Sequence, residues 1–148
     1  MIAPDVNVLI AASRSDHPHH RTALAWLKRA LAESEINGGL EILPVVATGF
    51  LRLVTHPKVF SEPTPLKDAI DFLDALLVHA GVSMSELGID EWNACRQLCL
   101  ERNLTANDVP DAFIAAATRM LGARFATFDR GFAALLPPSD LELLAAAR

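Results

Sequence analysis

Four aspartates in this chain are placed where one cation site would need them. Asp5 follows the short apolar start Ile2-Ala3-Pro4. Asp108 and Asp111 lie three residues apart at the opening of a long apolar helical segment. Asp129 follows the strand-like run Arg124-Phe125-Ala126-Thr127-Phe128. If the strands leading to Asp5 and Asp129 are parallel neighbours, both carboxylates emerge at one end of a sheet, the end where open α/β sheets keep their chemistry. Two carboxylates about 4 Å apart repel by roughly 4 kcal/mol at an effective dielectric near 20. A hard divalent cation relieves that repulsion, and Mg²⁺ takes oxygen ligands while keeping some water. Asp5, Asp108, Asp111 and Asp129 are therefore the candidate metal-holding and catalytic residues.

Each aspartate also has a plainer explanation. Asp108 reads as a helix N-cap, with Pro110 in the first turn and Asp111 at the third position of a capping-box-like arrangement. Both charges suit the helix dipole. Asp111 also flanks the most apolar sector of that helix, Phe113, Ile114, Ala117, Met120 and Leu121. A carboxylate at the margin of a core needs a partner. Asp129-Arg130-Gly131 after a strand is ordinary turn chemistry. Asp5 is harder to dismiss, because Asn7 adds a second polar group to an otherwise apolar segment.

The elements that must carry these residues alternate between strand and helix. A strand is expected over residues 2–4, helices over 6–12 and 17–33, a strand over 41–43 and a helix over 45–54. A helix over 66–79 and a strand over 82–84 follow. Asp90 reads as the N-cap of a helix running to Glu101. A helix over 109–121, closed by Gly122, leads to a strand over 124–128 and a last strand over 141–144. This order predicts an α/β protein, a three-layer α/β/α sandwich around a central parallel sheet, forming a single domain over residues 1–148.

The composition sets the class. Hydrophobic residues make up 51% and aromatics 6% of 148 positions, which gives an aliphatic core and excludes disorder. No apolar run has the length of a bilayer span. The start MIAPDVNVLI lacks the basic region of a signal peptide. With two cysteines and no paired framework, a reducing cytoplasmic compartment is expected. A formal charge of −5 argues against passive nucleic-acid binding, yet thirteen basic residues remain to meet phosphates.

Other clusters carry less. His17, His19 and His20 lack a tetrahedral ligand set and read as a solvated helix start. Cys95 and Cys99, one helical turn apart, read as packing. Arg52, Arg96, Arg102, Arg119 and Arg130 are candidates for phosphate contact, with solvated surface charge as the default. Strand-end aspartates with Mg²⁺ also occur in phosphatases and receiver domains, but these pair them with a late lysine. The last lysine here is Lys67.

The motifs together resemble PIN-domain ribonucleases, and most closely the VapC toxins of VapBC toxin–antitoxin systems. The matching segments are Asp5-Val6-Asn7-Val8-Leu9-Ile10, Thr48-Gly49-Phe50-Leu51-Arg52-Leu53-Val54-Thr55, Asn107-Asp108-Val109-Pro110-Asp111-Ala112 and Thr127-Phe128-Asp129-Arg130-Gly131-Phe132, in register from Met1 to about Leu135. The resemblance implies Mg²⁺- or Mn²⁺-dependent RNA cleavage, a VapB-type antitoxin partner and a homodimer. It matches Asp5 to the first metal aspartate, Asp108 and Asp111 to the acidic pair of the late helix, and Asp129 to the last acidic position. Thr127 matches a hydroxyl residue two places earlier, and Asn7 supports Asp5. Leu51, Val54, Phe72 and Leu76 are candidate contact residues for either partner. One departure stands out: Gly49 occupies the position where many members carry a glutamate. It bears on whether one cation or two are held, and it keeps a catalytically degenerate binding module as an alternative.

Overall fold

The computed structural model describes residues 1–145; residues 146–148 of the expected domain lie outside the described residues. Five short strands form one parallel sheet. They are β1 (Ile2–Pro4), β2 (Leu40–Ile42), β3 (Val82–Met84), β4 (Arg124–Thr127) and β5 (Leu141–Leu143). Six helices intervene: α1 (Val6–Ser13), α2 (His20–Ser34), α3 (Pro44–Val54), α4 (Leu66–Leu77), α5 (Ile89–Arg102) and α6 (Asp108–Met120). The strand order is β3-β2-β1-β4-β5, every neighbouring pair is parallel, and Ile2 stands opposite Arg124.

That order dictates where chemistry can sit. From β1 the chain steps outward to β2 and β3, then returns past β1 to β4 and β5. With right-handed crossovers, the two directions of travel put their helices on opposite faces. The contacts agree: α1 packs on α2 and α3, and α3 on α4, whereas α5 packs on α6. The reversal lies between β1 and β4, and the crevice beyond their carboxyl ends is the topological switch point.

Several element boundaries differ from expectation, each for a local reason. The second helix begins at His20 rather than His17, because Pro18 keeps His17 out of helical backbone. β2 ends at Ile42, since Leu43 precedes Pro44 and takes the extended conformation that opens α3. Asp90 is not an N-cap. Gly88 caps α5, and its N–H donates to the Glu91 carboxylate at 2.7 Å. α5 closes at Asn103, which is left-handed with φ of 51°.

The core is aliphatic, as the composition demands. Val8, Leu9, Leu40, Ile42, Leu43, Val46, Val54 and Phe125 are fully enclosed. α6 is buried along both flanks. Ile114, Ala115 and Ala117 join the main core, while Ala112 and Ala116 pack on Cys95 of α5. Its buried sector is therefore broader than the apolar stripe expected, and Met120 is exposed. Cys95 is buried, as the packing reading requires. Small side chains on α6 let α5 and the sheet approach together, which holds the helix bearing Asp108 and Asp111 from two sides.

Candidate active site

The β1–β4 pairing brings two of the four aspartates to one sheet end. Asp5 continues the ladder, its N–H donating to the Ala126 carbonyl at 2.8 Å. It then caps α1: its backbone is extended and its Oδ1 accepts from the Val6 N–H at 2.7 Å. Its Oδ2 accepts from the Thr127 hydroxyl at 2.6 Å. Asp5 is 8% exposed, and no cation pairs with it among the described residues. A buried carboxylate satisfied only by neutral donors keeps an uncompensated charge, which either a proton or a cation relieves.

Thr127 and Asn7 form the frame around it. The Thr127 Oγ donates to Asp5 and accepts from Asn7 Nδ2 at 3.3 Å and from the Asp129 N–H at 2.9 Å. One donor and two lone pairs are thereby used in full. Asn7 Oδ1 accepts from the Phe128 N–H at 3.3 Å. Its amide thus spans α1 and the segment after β4, with both ends committed. Asn7 and Thr127 thus each bond into the segment between Asp5 and Asp129.

Asp129 is exposed and caps a 3-10 turn, Arg130–Ala134, with Oδ1 accepting from the Gly131 N–H at 2.8 Å. The turn reading of Asp129 is therefore correct, and it leaves Oδ2 outside that bond. The capping reading of α6 is not correct. Asn107 occupies the cap position, Asp108 is the first helical residue, and no side-chain capping bond forms. Asp111 falls one position beyond the third place, so it completes no capping box.

Electrostatics ties the group together. Burial pushes the Asp5 carboxyl above the usual carboxylate range. The Thr127 and Val6 hydrogen bonds oppose this, and the charges of Asp111 and Asp129 add to it. Burial likewise raises half-buried Asp111, helped by Asp129 and Asp108. Asp5, Asp111 and Asp129 thus feel one another, and Asp108 enters through Asp111. Among the described residues, however, no three His, Cys, Asp or Glu side chains are gathered closely enough to hold an ion by themselves. The donors fit a hard divalent cation in kind, being all carboxylate oxygens. They fit one that keeps water in its shell, as Mg²⁺ does, rather than one enclosed by protein.

Gly49 lies against this site. A Cβ built there would meet Val6 Cγ2 at 3.0 Å, and Val6 directly follows Asp5. The position supplies no side-chain oxygen, and Val6 Cγ2 is the neighbour that a Cβ there would meet. Lys67 is remote in role: it is exposed on α4 and paired with Asp71 at 2.8 Å, so the lysine of a phosphatase or receiver site is missing among the described residues.

Two features escaped the sequence reading. His19 is half-buried and stacks on Phe128 at 4.8 Å, and His20 Nδ1 bonds to the Ala11 carbonyl at 2.8 Å, so these histidines are not a freely solvated helix start. Buried Arg14 fastens the end of α1 to the 60–64 loop. It reaches Asp16, the Thr64 hydroxyl and the Glu62 carbonyl, and lies over the Phe60 ring. An Arg two residues before an Asp carries no signal that would have revealed either contact.

The chain has recognisable relatives among known proteins. The model of the PIN domain family matches residues 2–135. Ribonuclease VapC43 of Mycobacterium tuberculosis is 38% identical over 134 residues, covering 90% of this chain and 88% of that protein. Ribonuclease VapC25 of the same organism is 34% identical over 133 residues, covering 90% and 92%. The crystal structure of VapBC2 from Rickettsia felis, bound to a promoter DNA fragment, superposes with a TM-score of 0.66 at 17% identity, covering 98% of this chain and all of that one.

Proposed function

Because the chain belongs to the PIN domain family, we propose that it is a divalent-metal-dependent endoribonuclease, the toxin of a VapBC-type toxin–antitoxin pair. The observation that carries this reading is the Asp5 carboxylate. It is buried at the β1–α1 junction, pressed by the charges of Asp111 and Asp129, and has no cationic partner among the described residues. The relatives named as ribonucleases supply the substrate class.

Asp5, Asp111 and Asp129, with Asp108 beside Asp111, would hold Mg²⁺ or Mn²⁺ directly or through water. When bound, such an ion polarises a phosphodiester and lowers the pKa of water for in-line attack. The remaining work belongs to the chain. Thr127 fixes the rotamer of Asp5. Asn7 fixes the segment Thr127–Phe128, and so the approach of Asp129 to Asp5. Positioning of this kind is a large part of phosphoryl-transfer catalysis.

The partners in this reading are RNA, a VapB-type antitoxin and a second copy of the chain. Val54 and Leu76 are buried in the core and cannot serve as contacts. Phe72 packs on Phe50 with ring centroids 5.4 Å apart, and Leu51 is half-buried. Exposed apolar side chains include Leu66 and Ile70 on α4, and Ile89, Trp92 and Leu100 on α5. No helix among the described residues is long and apolar enough to cross a membrane.

Purified protein incubated with total cellular RNA tests the reading. Cleavage with Mg²⁺ or Mn²⁺, abolished by EDTA and by Asp5→Asn, is expected. The second reading, a degenerate binding module, is favoured by Gly49 and by the open donor set. It requires RNA binding without cleavage at any metal concentration.

A further inference from the structure

Beside the carboxylates lies a row of three rings that the proposed chemistry does not use. Phe128 stands between Thr127 and Asp129, and its backbone N–H is tied to Asn7 Oδ1 at 3.3 Å. The His19 imidazole stacks on the Phe128 ring, with centroids 4.8 Å apart and planes 20° from parallel. His17 comes next, its ring centroid 5.6 Å from that of His19. The His19 N–H donates to His17 Nδ1 at 3.0 Å, so the two residues are fixed relative to each other. All three are half-buried.

What holds His19 is contact between ring faces. Its Nδ1 is buried and has no hydrogen-bond partner among the described residues, which is unusual for a polar atom removed from water. A histidine kept for packing alone would be better replaced by an apolar ring. His17 Nδ1 accepts the His19 N–H, which a protonated imidazolium could not do, and burial and the neighbouring His19 hold its value below the usual imidazole range. An uncharged flat ring suits a nucleobase face better than a phosphate.

We propose that the row Phe128–His19–His17 is a stacking platform for a base of the RNA strand whose backbone enters the carboxylate site. Single-stranded RNA is commonly held by bases stacked on Phe, Tyr, Trp or His. Here the platform begins on Phe128, between Thr127 and Asp129, so the proposal puts the stacked base close to the nucleotide whose phosphate meets the carboxylates. The proposal rests on the ribonuclease reading and refines it from RNA in general to single-stranded RNA with an unpaired base next to the cleaved bond.

The test uses short single-stranded RNAs carrying 2-aminopurine at successive positions, bound to the whole protein in EDTA so that binding is read without cleavage. Stacking quenches this base. Quenching is expected at one or two adjacent positions with the wild type. His19→Ala and His17→Ala should relieve it and weaken binding about tenfold, while His19→Phe should keep it. Thermal melts confirm that each variant is folded. Binding without quenching at any position, or equal quenching by the wild type and His19→Ala, overturns the platform and leaves the nuclease reading intact if metal-dependent cleavage persists. Failure to bind or cleave any RNA overturns both.

Discussion

The Thr127 hydroxyl donates to Asp5 Oδ2 over 2.6 Å, across a sequence separation of 122 residues. This bond is the point at which the first and fourth strands become one site. The same oxygen accepts from Asn7 and from the Asp129 backbone. Replacing Thr127 by Val keeps the shape and leaves three polar groups short of a partner. A loss of about 1–3 kcal/mol is expected in urea unfolding, together with a strong fall in RNA cleavage. Thr127→Ser should recover most of both. Wild-type activity in Thr127→Val would show that the hydroxyl only fills space.

Asp5→Asn and Asp111→Asn should separate folding from chemistry. Each removes a charge from a group that repels its neighbours. Stability in EDTA should hold or rise slightly, while cleavage falls by orders of magnitude. Asp108→Asn should also spare the fold, because Asn107, not Asp108, caps α6. Cleavage at wild-type rates by all three would remove the aspartates from the mechanism.

The pH dependence follows from the same groups. The folded values of Asp5 and Asp111 are raised above the ordinary 3.8. Between 3.8 and the raised values the native state binds more protons than the unfolded chain. Their contribution is therefore full below 3.8 and is lost as pH rises through the folded values. Metal-free protein should lose stability over that interval, and the loss should be smaller in Asp5→Asn. Added Mg²⁺ should offset it at neutral pH. A melting temperature that climbs with pH in EDTA, and climbs equally in Asp5→Asn, would contradict this.

Gly49 offers a test by double-mutant cycle. Ala is favoured over Gly inside a helix by about 1 kcal/mol, but its Cβ would press on Val6 Cγ2 at 3.0 Å. Overpacking costs about 1–3 kcal/mol, so the single variant sits near zero or below. The informative quantity is the coupling. Gly49→Ala should be better tolerated in a Val6→Ala background by at least about 0.5 kcal/mol. Additive effects would mean that α3 has room to spare beside Asp5.

Metal affinity should be modest in the free protein. Both oxygens of Asp5 and one of Asp129 already accept hydrogen bonds, and Gly49 adds none. Calorimetry should find weak Mg²⁺ binding that strengthens with a non-cleavable RNA, whose phosphate oxygens complete the coordination. Tight binding of two ions without RNA would refute this.

The fold was legible in the sequence because the signals for strand and helix are local. Strand–helix alternation gave the parallel sheet, and the sheet brought Asp5 and Asp129 to one end. The charge state of each aspartate was not legible, since burial depends on what packs around it. The capping roles of Asp90 and Asp108 were misjudged by one or two residues, because Gly88 and Asn107 also suit a helix start. Pro18 and Pro44 moved the starts of α2 and β2's end in ways that their sequence positions do announce. The stack of His19 on Phe128 joins residues more than a hundred positions apart, and no local pattern encodes it.

The order of strands also sets when the enzyme becomes dangerous to its maker. β1 leaves the ribosome long before its partner β4. Until Thr127 and Asp129 have emerged, Asp5 has neither its hydroxyl clamp nor its neighbouring carboxylate. The same long-range pairing delays folding, because distant segments must meet before any contact rewards them. On the proposed mechanism, a nascent chain that stops short of residue 129 is inert. In a protein that attacks RNA, the proposed site is assembled only after β4 has been made.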